Sequence, residues 1–405
     1  MARNYLGTCS AYPGVGRRGR GLTLMAFTSV AAVLMLASPG VASAVTATSA
    51  TWTIEPTPST DGVPLSSVSC ATNINCVAVA SVYNPSYGAD TGVIYGWNGS
   101  AWTALPAPDN ASFLTEMAGV SCPVSTYCIV VGQFESGGTD YGNSTAAWSW
   151  NGSTWSDQRT YSPNDSTNNS QLNAVRCIRP SSCEAVGQHQ LFTTDNAPDY
   201  TLAEHWNGST WTKQSTTGAP SGRLFSVACE SASKCEAVGQ AASGGTLAMG
   251  LSGTKWVTQT TPNVLSGSSA LNSVACYTGG CTAVGASGTH ALAEVWNGSK
   301  WALQSRLGAG DPAGSVDAAW NGVQCHSASS CTAVGEWQAT SAGSDTLTLA
   351  EHWSGSTWTV AHTPSPAGYD VLTAVSCTST LCTAVGWQNA VDAYGDSANS
   401  LAMRN

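Results

Sequence analysis

Charge is scarce in this sequence. Only 9% of residues are Asp, Glu, Lys or Arg, and only four are lysine. With 24 acids against 14 bases the chain has no basic surface to offer, which argues against nucleic acid and anionic membranes as partners. Long apolar runs are missing beyond the first 44 residues, so no later segment is expected to insert into a bilayer. Helical periodicity is almost absent, and apolar residues alternate instead, which excludes a helical fold. Several signatures of chemistry are also lacking: G-x-S-x-G, H-E-x-x-H, the phosphate loop G-x-x-x-x-G-K-[ST] and the EF-hand loop. Neither the S-x-D-x-G-x-x-W box of sialidase-like propellers nor the G-H and W-D marks of WD repeats is present.

The first 44 residues read as a secretory signal. Arg17, Arg18 and Arg20 precede an apolar run from Leu22 to Leu36, and "SPGVASA" follows with small residues at Ala42 and Ala44. That run falls short of the roughly 20 residues a spanning helix needs. "RRGRGL" fits a twin-arginine signal poorly. The expectation is cleavage after Ala44 and a secreted, extracellular, monomeric chain over 45–405. Four of the bases and none of the acids lie in the leader, so ten bases face 24 acids in the mature chain, a net −14.

Cysteine, in contrast, is plentiful. Cys9 leaves with the leader, and the other 14 fall into seven close pairs. Cys70 pairs with Cys76, Cys122 with Cys128, Cys177 with Cys183 and Cys229 with Cys235. Cys276 pairs with Cys281, Cys325 with Cys331 and Cys377 with Cys382. In a secreted chain such pairs read as disulfides. Zinc would need four ligands close together, whereas each pair here is about 50 residues from the next. No metal and no organic cofactor is expected.

Successive first cysteines are 52, 55, 52, 47, 49 and 52 residues apart, a period that signals a propeller or solenoid. Each unit holds four strand-like pieces: "LNAVRC", "CEAVGQ", "LAEHW" and "TWTKQ". Between the last two stands an NG string, as in "AEHWNGSTWT" from Ala203 to Thr212, the signal for a type I′ hairpin turn. Either a two- or a four-residue loop puts Trp206 and Trp211 on one sheet face. The NG strings at Asn98, Asn151, Asn207 and Asn297 also match glycosylation acceptors, but the turn accounts for them. The cysteine pairs bracket the hairpin between the first two strands, where closing so short a loop adds about 2 kcal/mol each. "ATWTIEPTP" at 50–58 reads as a fourth strand with no blade before it, and "SLAMRN" at 400–405 as a third strand with nothing after it. The reading is an all-β, seven-bladed β-propeller of four-stranded blades, closed by the N-terminal strand, with one disulfide per blade. Trp320, where other units place Leu, reads as core.

The pattern C-x(4,5)-C-x-A-V-G followed by "LAEHWNGSTWT" and a proline resembles the actinobacterial-type repeats of secreted bacterial β-propeller proteins. The resemblance covers nearly all of 50–405. It implies architecture and is almost silent on activity, because propellers host many functions.

In a four-stranded meander the disulfide hairpins and NG turns share one face. The loops from strand two to three, and from blade to blade, share the other. Those loops do not repeat, so they are free to serve function. They carry the candidate ligand-binding residues Tyr87, Tyr141, Tyr200, Trp337, Trp387, Tyr394, Asp140 and Asp392. Flat rings beside acceptors suit sugars, so the first reading is binding of carbohydrate or a cell-wall polymer. Trp337 and Trp387 both follow an "AVG" strand, in units six and seven, and are expected to line one groove. A polysaccharide hydrolase or lyase working in the channel, and a protein-binding surface scaffold, are the alternatives. The repeated Glu204, Glu294 and Glu351 read as scaffold, so no catalytic residue is assigned. "DAYGD" at 392–396 offers too few ligands for calcium.

Overall fold

The computed structural model describes residues 51–405 apart from 59–62, 85–88, 109–114, 136–142, 163–167, 192–197, 263, 265–267, 340–344 and 393–394. The side chains at 83–84, 89, 115, 135, 168, 191, 390–392 and 395–397 are also outside the description. The leader, 1–44, lies outside it too. Among the described residues there are 28 strands and no helix. They form seven four-stranded antiparallel sheets, each a simple meander except the last. Blade three shows the plan with strands Asn168–Arg179, Ser182–Leu191, Asp199–Trp206 and Trp211–Lys213.

Alternation along each strand sends side chains to both faces of each sheet, and both faces are covered by neighbours. Seven clusters of buried residues result, one between each adjacent pair of blades, including blade seven against blade one. Trp320 is 1% exposed within the cluster between blades five and six, as the sequence suggested.

All seven expected disulfides are present, one in the first hairpin of each blade. In blades one to four Cys70 is bonded to Cys76, Cys122 to Cys128, Cys177 to Cys183 and Cys229 to Cys235. In blades five to seven Cys276 is bonded to Cys281, Cys325 to Cys331 and Cys377 to Cys382. Outside blade two the bonded cysteines are also directly paired across the strands, so the register itself sets them side by side. In blade two the ladder is irregular between Ser121 and Val124, and the bond from Cys122 to Cys128 closes that stretch.

The inner strand of every blade carries a β-bulge at the same place, for example between Leu172 and Ala174 and between Leu372 and Ala374. The bulge explains the recurring glycine of "AVG". A Cβ at Gly187 or Gly386 would run into the carbonyl oxygen of Gln171 or Val371. Blade one has Ala80 there, and its inner strand starts only at Leu65, the residue opposite. The bulged residue itself reaches to the next blade. Ser66 Oγ donates to the Met117 carbonyl at 2.9 Å, Asn173 Nδ2 to Leu224 at 2.7 Å, and Asn272 Nδ2 to Trp320 at 3.0 Å. Nearer the disulfides, Ser69 and Ser121 accept the N–H of Cys122 and Cys177 at 2.9 and 3.0 Å.

The NG hairpin is a four-residue loop, Asn207–Thr210, flanked by the paired Trp206 and Trp211. Of the two loop lengths the string allows, this is the longer. The Asn207 side chain fixes it, because its Oδ1 accepts the N–H groups of Ser209 and Thr210 at 2.9 Å each, and Gly208 takes a positive φ, of 98°. The two indoles sit 5.6 Å apart at 40°, on one face as expected.

Blade seven takes its outer strand from the other end of the chain. Thr53–Glu55 pairs antiparallel with Gly395–Arg404. Trp52 occupies the place of Trp211 and is 2% exposed in the cluster between blades six and seven. The seam to blade one repeats the stitching seen elsewhere: Thr373 Oγ1 donates to the Leu65 carbonyl at 2.7 Å, and Ser376 Oγ accepts the Cys70 N–H at 2.9 Å. Arg404 adds a guanidinium 4.6 Å over the Trp97 ring and a hydrogen bond to the Asn73 carbonyl.

Because Trp52 fills a closed interface, Trp52→Ala is expected to cost about 3–5 kcal/mol of stability. Denaturant unfolding checks this, and an unchanged midpoint would rule out closure of the ring by this strand.

Candidate functional site

Loops from strand two to three, and from blade to blade, share one face, as the meander requires. Of the eight candidate residues, Tyr87, Asp140, Tyr141 and Tyr394 lie outside the described residues. Asp392 ends a strand, with its side chain outside the description. Tyr200, Trp337 and Trp387 are described, and the structure does not bring them together.

Tyr200 is 38% exposed and stacks on His189 with centroids 5.5 Å apart. The two residues are directly paired on adjacent strands, so the stack follows from the register. They wall a pocket of about 510 Å³, closed on the other side by Lys213 and the linker Gln214–Pro220 to blade four. Burial, then the Lys213 charge, push the His189 pKa below its usual value, so the imidazole is neutral at pH 7. Its buried Nδ1 has no hydrogen-bond partner. Lys213 Nζ sits 4.9 Å over the Tyr161 ring. Among the described residues no acid lines the pocket. Its nearby acid, Asp199, is engaged by Arg223 of blade four at 2.5 Å. Sequence reasoning missed His189, Lys213 and the linker. The available signals were the unrepeated "QHQ" and the rarity of lysine.

Trp387 stacks on Tyr369, which is 41% exposed, at 5.8 Å and 27°. Trp337 instead packs against the cluster between blades five and six. The expected common groove is therefore not formed, and the register gives the reason. Trp387 directly follows Gly386, whereas Trp337 stands two residues after Gly335. A shift of one residue reverses the sheet face. Trp337 thus turns back toward blade five, and Trp387 shares its face with Val385, which packs on blade one.

The repeated glutamates lie deep between blades. Glu204, Glu294 and Glu351 are at most 1% exposed, at a strand position that other blades fill with Tyr95, Trp148, Met249 and Met403. Burial raises their pKa values to about 7, 8 and 8. Glu204 Oε2 accepts the Tyr161 N–H at 2.9 Å, which ties it to the preceding blade. These are scaffold acids, as read from their repetition.

Down the axis runs a cavity of about 260 Å³, lined by the seven inner strands. Among the described residues its lining includes Ser, Asn, Ala and Val and no Asp, Glu or His. Among the described residues no group of His, Cys, Asp or Glu is arranged to hold a metal ion, and no helix is long and apolar enough to cross a membrane.

The sequence matches no protein-family model and no curated protein. Its fold is similar to that of a solved structure described as YCF48 bound to D1 peptide, with a TM-score of 0.53 and 11% identity, covering 87% of this chain and 94% of that one. A looser likeness, with a TM-score of 0.49 and 6% identity, is to the Pyrococcus horikoshii acylaminoacyl peptidase. It covers 84% of this chain but only 50% of that one and carries no weight for function. At such identities the shared property is the fold.

Glu236 and Glu336 are raised likewise, to about 8 and 7, again by burial. A carboxyl whose folded pKa lies above its unfolded value stabilises the fold fully below the unfolded pKa, about 4.5, and loses that contribution as pH rises through the folded pKa. His205, raised by Glu184, has the same sign, and His189 the opposite one. The melting temperature is expected to be higher at pH 5 than at pH 8, and Glu294→Gln should flatten the fall. A melting temperature that rises over this range would contradict the assignment.

Proposed function

We propose that this chain is a binding scaffold that holds a peptide segment of a partner protein on its loop face, at the blade-three pocket. The observation that carries the reading is the pocket itself. It joins an exposed ring on Tyr200, a neutral imidazole on His189, a cation on Lys213 and an open linker backbone, and among the described residues no acid lines it. Such a set suits an extended segment with one apolar side chain and a neighbouring acceptor or acid. The YCF48 structure, solved with a peptide, supports the reading at the level of fold. Carbohydrate is the second reading, and it rests on the Tyr369–Trp387 stack, whose exposed ring offers a flat apolar platform.

Seven disulfides point to an oxidising environment. Secretion through the 1–44 leader, and kinship with actinobacterial-type secreted propellers, are part of this proposal. Expression with the leader in a Gram-positive host should give a protein in the medium beginning at Val45. Retention inside the cell with an intact leader would refute secretion.

To test binding, the purified protein is panned against a random peptide library, and in parallel against glycans and wall polymers. Selected peptides should lose about 1–2 kcal/mol of affinity for Tyr200→Ala and for Lys213→Ala. Peptide binding that ignores both substitutions sinks the pocket assignment. Glycan binding lost in Trp387→Ala and kept in Tyr200→Ala would replace the first reading by the second.

A further inference from the structure

Among the described residues that line the axial cavity, one side chain carries a full charge. Arg176 lies on the inner strand of blade three, directly before Cys177. The equivalent places in the other blades hold Ser69, Ser121, Ala228, Ala275, Gln324 and Ser376. Three of these are serines that accept the cysteine N–H of the next blade. Arg176 has no acceptor to offer and makes no such link. No hydrogen bond or ion pair engages its guanidinium among the described residues. It is exposed to the hollow, around which the seven inner strands stand. That enclosure draws its pKa below the ordinary arginine value, and no carboxylate is near enough to oppose the shift.

Gln324 of blade six stands at the same level, three blades away around a ring of seven, and so across the axis. Its amide also lacks a partner among the described residues. Arg176 and Gln324 are the two long polar side chains at this level of the cavity. Serine hydroxyls and alanine methyls make up the rest, and among the described residues no Asp or Glu lines the cavity. Among the described residues no carboxylate neutralises this cation.

We propose that the axial cavity is a binding site for a small oxoanion or carboxylate, held by Arg176 with the Gln324 amide opposite. The guanidinium fork matches two oxygens of either ligand. A cavity of about 260 Å³ holds such an ion with residual water, each water taking about 30 Å³. This site is separate from the peptide pocket, and neither depends on the other.

The test uses the mature chain and sodium phosphate, sulfate and acetate, at an ionic strength kept constant with sodium chloride. Melting temperature and calorimetric titration are both followed. At least one of the three anions is expected to give a saturable rise in melting temperature over chloride. Response to acetate alone identifies a carboxylate site, and response to phosphate or sulfate alone an oxoanion site. Arg176→Gln is expected to bind at least about tenfold more weakly, with melting in chloride no lower than the wild type, because no hydrogen bond or ion pair is lost and an enclosed charge is removed. Gln324→Glu places an internal carboxylate across from Arg176. It is expected to abolish the anion response while raising the melting temperature in chloride. No saturable response in the wild type, or an equal response in Arg176→Gln, overturns the proposal.

Discussion

The free edge of the innermost strand is the constraint on which this ring of sheets depends. Each blade hydrogen-bonds its four strands to one another, but the inner strand of each has no strand on its axial side. Buried, unpaired backbone groups are costly. The bulge and the small polar residues around it meet this need. Ser66, Asn173, Asn272, Asn321 and Thr373 each bond a carbonyl of the following blade, so that the same groups satisfy the edge and fix the neighbour. Closure of the ring follows the same rule, because Thr373 of blade seven bonds Leu65 of blade one. Blades two and four place Ala118 and Phe225 at this position and have no such bond.

Interchange of residue types at one position shows what the scaffold requires. The third-strand position that holds Glu204, Glu294 and Glu351 also holds Tyr, Trp and Met, all buried. A carboxyl group survives there because burial keeps it protonated near neutral pH, when it behaves as a polar group of methionine-like size. The link between sequence and pH response runs through packing between blades.

The two faces of the ring differ in how far they repeat. One face carries disulfide hairpins and Asn-capped turns whose side chains are used up in their own loops. The other carries linkers that differ from blade to blade. There the chain gathers His189, Tyr200 and Lys213 from three strands of one blade, with the following linker as lid. The axial cavity is a second hollow, walled by groups that mostly serve blade-to-blade bonding, with Arg176 and Gln324 as departures from the ring pattern.

The sequence by itself determined the blade count, the disulfide pairs, the buried place of Trp320 and the borrowed outer strand around Trp52. These depend on spacing and period, which a linear string displays. It also marked Tyr200 as a loop-face ring. The structure decided which residues meet. Trp337 and Trp387 look equivalent in the string, yet one position of register sends them to opposite sheet faces. His189 and Lys213 are 24 positions apart and share a pocket only because two hairpins fold them together. Arg176 is one residue in an "AVRC" strand until seven such strands close around an axis and leave it without a counter-ion. Alternation and repeat length are local properties. Which side chains converge is set by strand register and ring closure, and those exist only in three dimensions.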